Sequence, residues 1–123
     1  MRVAALALLV PDYDAAIAFF VTGLGWRLTA DEDQGRKRWV TVSDGAVELV
    51  LARAEGSTQE SVIGAQFGGR VGLFLRTEDF ARDSARIVAA GGTFEESPRV
   101  ERYGTVAVWC DPGGNRWDLI EPA

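Results

Sequence analysis

One pattern occurs twice in this chain, and it restricts the possible folds more than any other feature. Asp12-Tyr13-Asp14-Ala15-Ala16-Ile17-Ala18-Phe19-Phe20-Val21 runs into Leu24-Gly25, and Asp79-Phe80-Ala81-Arg82-Asp83-Ser84-Ala85-Arg86-Ile87-Val88 runs into Gly91-Gly92. The offset from Tyr13 to Phe80 equals the offset from Gly25 to Gly92. Tyr13, Ile17, Phe20, Val21 and Leu24 recur at helical spacing, as do Phe80, Ser84, Ile87, Val88 and Gly91, so each set shares one face of an α-helix. Asp12 and Asp79 stand at N-cap positions; Gly25 and Gly92 stand where a helix-ending glycine belongs. Two copies of one folding unit are therefore expected.

The flanking segments complete each copy. Residues 3–10 read as a buried strand, 12–23 as the first helix, and 26–30 as a second strand. Asp31 to Gly35 supply turn chemistry. Residues 37–43 alternate, with Arg38, Val40 and Val42 on one side and Trp39 and Thr41 on the other. Asp44-Gly45 signals a hairpin, and 47–52 form a fourth strand. Residues 54–69, glycine-rich at both ends and weakly helical over 59–66, link the copies. Strands over 71–75, 93–96, 103–110 and 116–121, with a helix over 79–90 and a turn at Asp111-Pro112-Gly113-Gly114-Asn115, repeat the order. The expected organisation is one α+β domain of two βαβββ units, 1–53 and 70–123, joined by 54–69.

Composition removes many functions. The 123 residues contain no histidine, which excludes Ser-His-Asp and Cys-His chemistry and every zinc site that needs imidazole. A net charge of −5 leaves no basic stripe for phosphates, so no nucleic-acid partner is expected. Cys110 is the only cysteine, so no intramolecular disulfide can form, and a reducing cytoplasm is the expected location. The apolar run at 3–10 is short and leads straight into a helix cap, so it reads as a strand and no membrane partner is expected.

Alternation puts Glu48 on the face of Val50, opposite Leu49 and Leu51, and Asp118 with Ile120. Glu48 is then either a carboxylate in an apolar cavity, with raised pKa and able to act as a base or bind a cation, or the partner of Arg38, Arg70 or Arg116. The same two readings apply to Asp118. Trp39, Trp109 and Trp117, with Tyr103, either line a cavity for a flat or apolar ligand or pack the core or a dimer interface. Cys110 has no histidine to activate it and reads as a buried inert thiol.

The tandem βαβββ order resembles the vicinal oxygen chelate superfamily, which includes glyoxalase I, bleomycin- and fosfomycin-resistance proteins and extradiol dioxygenases. The resemblance is carried by Val10 to Phe20 with Leu24-Gly25-Trp26, then Tyr103 to Val108 and Asp111 to Pro122. It implies an open, cup-shaped mixed sheet and, by analogy with small members, a homodimer. In metal-using relatives the ligands come from the first and last strand of each unit. Those positions fall on Ala5, Glu48, Gly72 and Asp118, so both histidines are replaced by residues with no ligand atom.

The expectation is thus a metal-free, bleomycin-resistance-like protein, with no cofactor. It would bind a small organic ligand, cationic or aromatic, in its cup or dimer groove. Trp39, Glu48, Trp109 and Asp118 are the expected lining residues, and Glu48 is the candidate for any catalysis. One alternative is a lyase, isomerase or dioxygenase using a weakly held magnesium or manganese ion on Glu48 and Asp118. Another is a non-catalytic protein that recognises a partner.

Overall fold

A computed structural model describes residues 1–123, which divide into two compact units, Met1–Ile63 and Gly64–Ala123. The segment 54–69 expected as a linker is therefore shared between them.

The first unit comprises β1 (Leu6–Val10), α1 (Tyr13–Ile17), β2 (Arg27–Asp33), β3 (Arg38–Ser43), β4 (Glu48–Arg53) and a short helix α2 (Gly56–Glu60). Its sheet has the order β1-β4-β3-β2, with β1 parallel to β4 and the other neighbours antiparallel. Leu8, Val40, Val42, Leu49 and Leu51 are buried, as are Tyr13, Phe19 and Phe20 from the helical segment. Each such side chain withdrawn from water stabilises the fold by about 1.5–3 kcal/mol.

The helix departs from the expected regular one. Asp12 caps it as predicted, accepting from the Ala15 amide at 2.8 Å. After Ile17 the backbone widens into a π-helical turn, Ala18–Gly23. The wider turn turns two adjacent rings, Phe19 and Phe20, into the interior, where strict helical spacing admits only Phe20. Phe20 then packs on Trp26, with ring centroids 5.1 Å apart.

The second unit comprises β5 (Leu73–Arg76), α3 (Phe80–Ala90), β6 (Thr93–Phe94), β7 (Arg99–Glu101), β8 (Gly104–Cys110) and β9 (Arg116–Pro122). The order β5-β9-β8-β6 repeats the first sheet, with β5 parallel to β9; β7, absent from the sequence expectation, adds to β8. Ala107, Trp109, Trp117, Leu119 and Ile87 form the buried layer, and Trp109 stacks on Trp117 at 5.1 Å.

Two details of α3 correct the sequence reading. Its left-handed terminal residue is Gly91, at φ 115°, and not Gly92. Gly92 is needed for space: a Cβ there would stand 2.5 Å from Cγ2 of Ile87. Val88, expected in the core, is 56% exposed.

The turn at 111–115 is more than a reversal. Asp111 and Asn115 are buried, and the Asp111 carboxylate accepts from the Asn115 amide at 2.9 Å, from Asn115 Nδ2 at 3.1 Å and from Trp117 Nε1 at 2.9 Å. A buried carboxylate with three donors fixes the loop to the tryptophan layer.

Candidate functional site: two carboxylate-bearing sheet faces

Alternation along β3 and β4 sends Val40, Val42, Leu49 and Leu51 toward the helical layer. It leaves Trp39, Thr41, Ser43, Glu48 and Val50 on the opposite face. Trp39 is 42% exposed there, and Glu48 stands directly across from Ser43. Thr29 donates a hydrogen bond to Glu48 Oε1 at 2.6 Å, and the Thr29 and Thr41 hydroxyls lie 2.6 Å apart.

These contacts correct the raised pKa and the arginine partner expected of Glu48, and leave its expected capacity to bind a cation untouched. The hydrogen bonds from Thr29 and then Thr41 outweigh desolvation and hold its pKa below the ordinary carboxylate value, where a raised one was expected. None of the ion pairs in the structure includes Glu48, so the arginine partner expected as the alternative is not found. An ionised carboxylate with hydroxyl donors suits it to attract a cation and makes it a poor base near neutral pH.

In the second unit Asp118 lies on the sheet face turned away from Trp109, Trp117 and Leu119. Its cross-strand neighbours are Val108 on β8 and Phe74 on β5, the latter 60% exposed. Desolvation raises the Asp118 pKa, and its Oδ1 is buried with no hydrogen-bond partner. The nearby arginines already have partners: Arg116 binds Glu95 at 2.7 Å, and Arg99 binds Glu96 at 2.7 Å and Glu101 at 2.9 Å. Glu95 also accepts from the Cys110 thiol at 3.5 Å, and burial pushes that thiol's pKa up.

Trp109 does not line this face. It is fully buried between sheet and helix, with the Trp117 ring on one side and Phe94 at 6.5 Å. Of the expected lining residues, Trp39 and Glu48 share one face of the first sheet, Asp118 lies on the corresponding face of the second, and Trp109 belongs to the core.

Strand register also separates Glu48 from Asp118. Leu6 pairs with Leu49 in the first sheet, and Leu73 with Trp117 in the second. Glu48 therefore corresponds to Arg116, and Asp118 to Val50. The amide of Gly72 donates to the Arg116 carbonyl at 3.2 Å, which puts a cation on the rung beside one of the family's ligand positions.

Gly72 itself could carry no larger side chain as the structure stands, because a Cβ would lie 2.2 Å from the Phe67 ring. Ala5 offers only a methyl group. No cluster of three or more Asp, Glu or Cys side chains is arranged to hold an ion. The residues present do not fit the metal that the family's ligand positions imply.

Sequence reasoning missed Thr29 and Thr41 as partners of Glu48. The alternation of Trp39 with Thr41 contained half of that signal. Thr29 was hidden by the irregular register between Leu28 and Ala30.

These elements define an α+β protein of two βαβββ units, each with a mixed sheet bearing a carboxylate on the face away from its helix. Residues 2–119 match the family described as the Glyoxalase/Bleomycin resistance protein/Dioxygenase superfamily, and the chain belongs to that superfamily. An uncharacterized protein of Shewanella frigidimarina (strain NCIMB 400) is 48% identical over 121 residues, covering 94% of this chain and 90% of the relative. The crystal structure of UcmS2 superposes with a TM-score of 0.82 at 29% identity, over 98% of this chain and 97% of that one. TnmS3, an antibiotic binding protein from Streptomyces sp. CB03234, gives 0.76 at 31% identity, over 100% and 98%.

Proposed function

We propose that this protein reversibly binds a small organic molecule carrying an aromatic ring and a positive charge, without a tightly held metal. The observation that carries the reading is the placement of Trp39 and Glu48 on one sheet face. An exposed indole offers a flat apolar surface and an electron-rich ring for a cation, and a carboxylate in no ion pair supplies the counter-charge further along the same face, on the rung of Ser43. Superfamily membership and the likeness to an antibiotic binding protein support the same class of activity. Asp118 provides a second carboxylate, on the other unit.

Reversible binding needs no acid–base step, and an ionised Glu48 fits that role. The lack of ligand atoms at residues 5 and 72 supports a protein purified without stoichiometric transition metal. We further propose a homodimer in the cytoplasm; the exposed side chains of Leu6 and Phe74, on the outermost strands β1 and β5, offer apolar area for self-association. No helix is long and apolar enough to cross a membrane.

The test is a fluorescence titration of wild type and Trp39→Phe with 2-phenylethylamine. Saturable quenching in wild type, lost in the variant, is expected. If wild type shows no saturable change, or the variant responds equally, this face is not the binding surface.

A further inference from the structure

The first unit contains a cavity of about 300 Å³ at one end of the face that carries Glu48. Its walls include Arg2, Val3 and Ala4 from the segment before β1, Ser43 at the end of β3, and Val47 with Glu48 at the start of β4. The volume is at the lower limit of ligand pockets, enough for a molecule of roughly ten heavy atoms.

The two charges in this wall have opposite signs and remain unspent. Glu48 is hydrogen-bonded only through the threonine hydroxyls, and neither it nor Arg2 takes part in an ion pair. Arg38, Arg82, Arg99 and Arg116 each hold a carboxylate, and Arg2 is among the cations that do not. A guanidinium and a carboxylate that line one cavity without touching are best satisfied together by a guest carrying both complementary charges. The Ser43 hydroxyl, opposite Glu48 across the β3–β4 ladder, can donate to or accept from either end of that guest.

We infer that the cavity bounded by Arg2, Ser43 and Glu48 binds a small zwitterion of the amino-acid class, its ammonium on Glu48 and its carboxylate on Arg2. This deepens the reading given above, since it rests on Glu48 as a ligand contact and specifies the second charge. Val3, Ala4 and Val47 supply the apolar wall against which a side chain would lie.

Three probes with one phenylethyl skeleton separate the charges: L-phenylalanine carries both, 2-phenylethylamine only the cation, and 3-phenylpropionate only the anion. Titration calorimetry at pH 7 is expected to show L-phenylalanine binding about tenfold or more tighter than either analogue, as an added charge-assisted hydrogen bond implies. Glu48→Gln should remove its advantage over 3-phenylpropionate, and Arg2→Ala its advantage over 2-phenylethylamine. Equal affinities for all three, or no heat with L-phenylalanine, would overturn the inference. If 2-phenylethylamine binds in a Trp39-dependent way while L-phenylalanine gains nothing, only the inference fails. If L-phenylalanine binds through Arg2 and Glu48 while the amine alone does not, the cationic-ligand reading fails and the zwitterion site stands.

Discussion

Thr29 on β2 donates to Glu48 on β4 at 2.6 Å, reaching across the face of the intervening strand β3. The bond joins two non-adjacent strands through side chains alone and keeps a carboxylate charged. Replacing Thr29 with valine removes that donor while preserving shape, so the Glu48 pKa should rise toward the ordinary value. A pKa depressed by folding contributes stability that is complete above the unfolded value and is lost as pH falls through the folded one. In Thr29→Val that contribution should shrink, and its loss should be complete at a higher pH. Side-chain carboxyl NMR titration measures the shift directly; an unchanged Glu48 resonance would refute the assignment.

Asp118 should behave in the opposite sense. Burial raises its pKa, with Arg99, Glu96 and Arg116 as smaller influences of mixed sign. The folded state then binds more protons than the unfolded one between the two values, so this group's contribution to stability falls as pH rises through that window. Asp118→Asn should raise the melting temperature at neutral pH and flatten that part of the pH profile. A lower melting temperature at neutral pH would mean that the carboxylate has a stabilising partner.

The tryptophans should separate by role. Trp109→Ala empties a fully buried site and should cost about 3–5 kcal/mol in urea unfolding. Trp39→Ala alters an exposed position and should change stability by far less, while weakening 2-phenylethylamine about tenfold through the lost ring–cation contact. Comparable stability losses in the two variants would contradict the assigned burial.

Trp117→Phe tests the buried Asp111 hub. It deletes the 2.9 Å indole hydrogen bond and leaves the Asn115 donors in place, so a loss of about 1.5–3 kcal/mol is expected. A cost near zero would show that the loop is held by its backbone bonds alone.

Gly72→Ala should destabilise by about 1–3 kcal/mol, because its Cβ and the Phe67 ring claim the same space. Phe67→Ala in the same chain should recover part of the loss, a non-additive pair measurable by a double-mutant cycle.

Much of the fold was legible because it rests on local signals. Asp12 and Asp79 announce the helix starts, and the alternation in β3, β4, β8 and β9 announces the sheet faces. The π-helical turn was not legible, since Phe19 joins the interior only through a backbone distortion with no composition of its own. The face carrying Trp39 and Glu48 followed from alternation, whereas the burial of Trp109 depended on which side the helix covers. Equating Glu48 with Asp118 came from the family resemblance, and the ladder register does not follow it. The pairings of β1 with β4 and of β5 with β9 make Arg116 the second-sheet equivalent of the first-half glutamate.

The ring of Phe67 against Gly72 also has an evolutionary meaning. A histidine introduced at residue 72 alone would collide with phenylalanine, and shortening Phe67 alone would open a void beside a residue with no side chain to fill it. Each single step lowers stability before any new ligand atom becomes useful. Placing an imidazole at this spot thus requires two coordinated changes, and the aromatic ring is a barrier to either one alone.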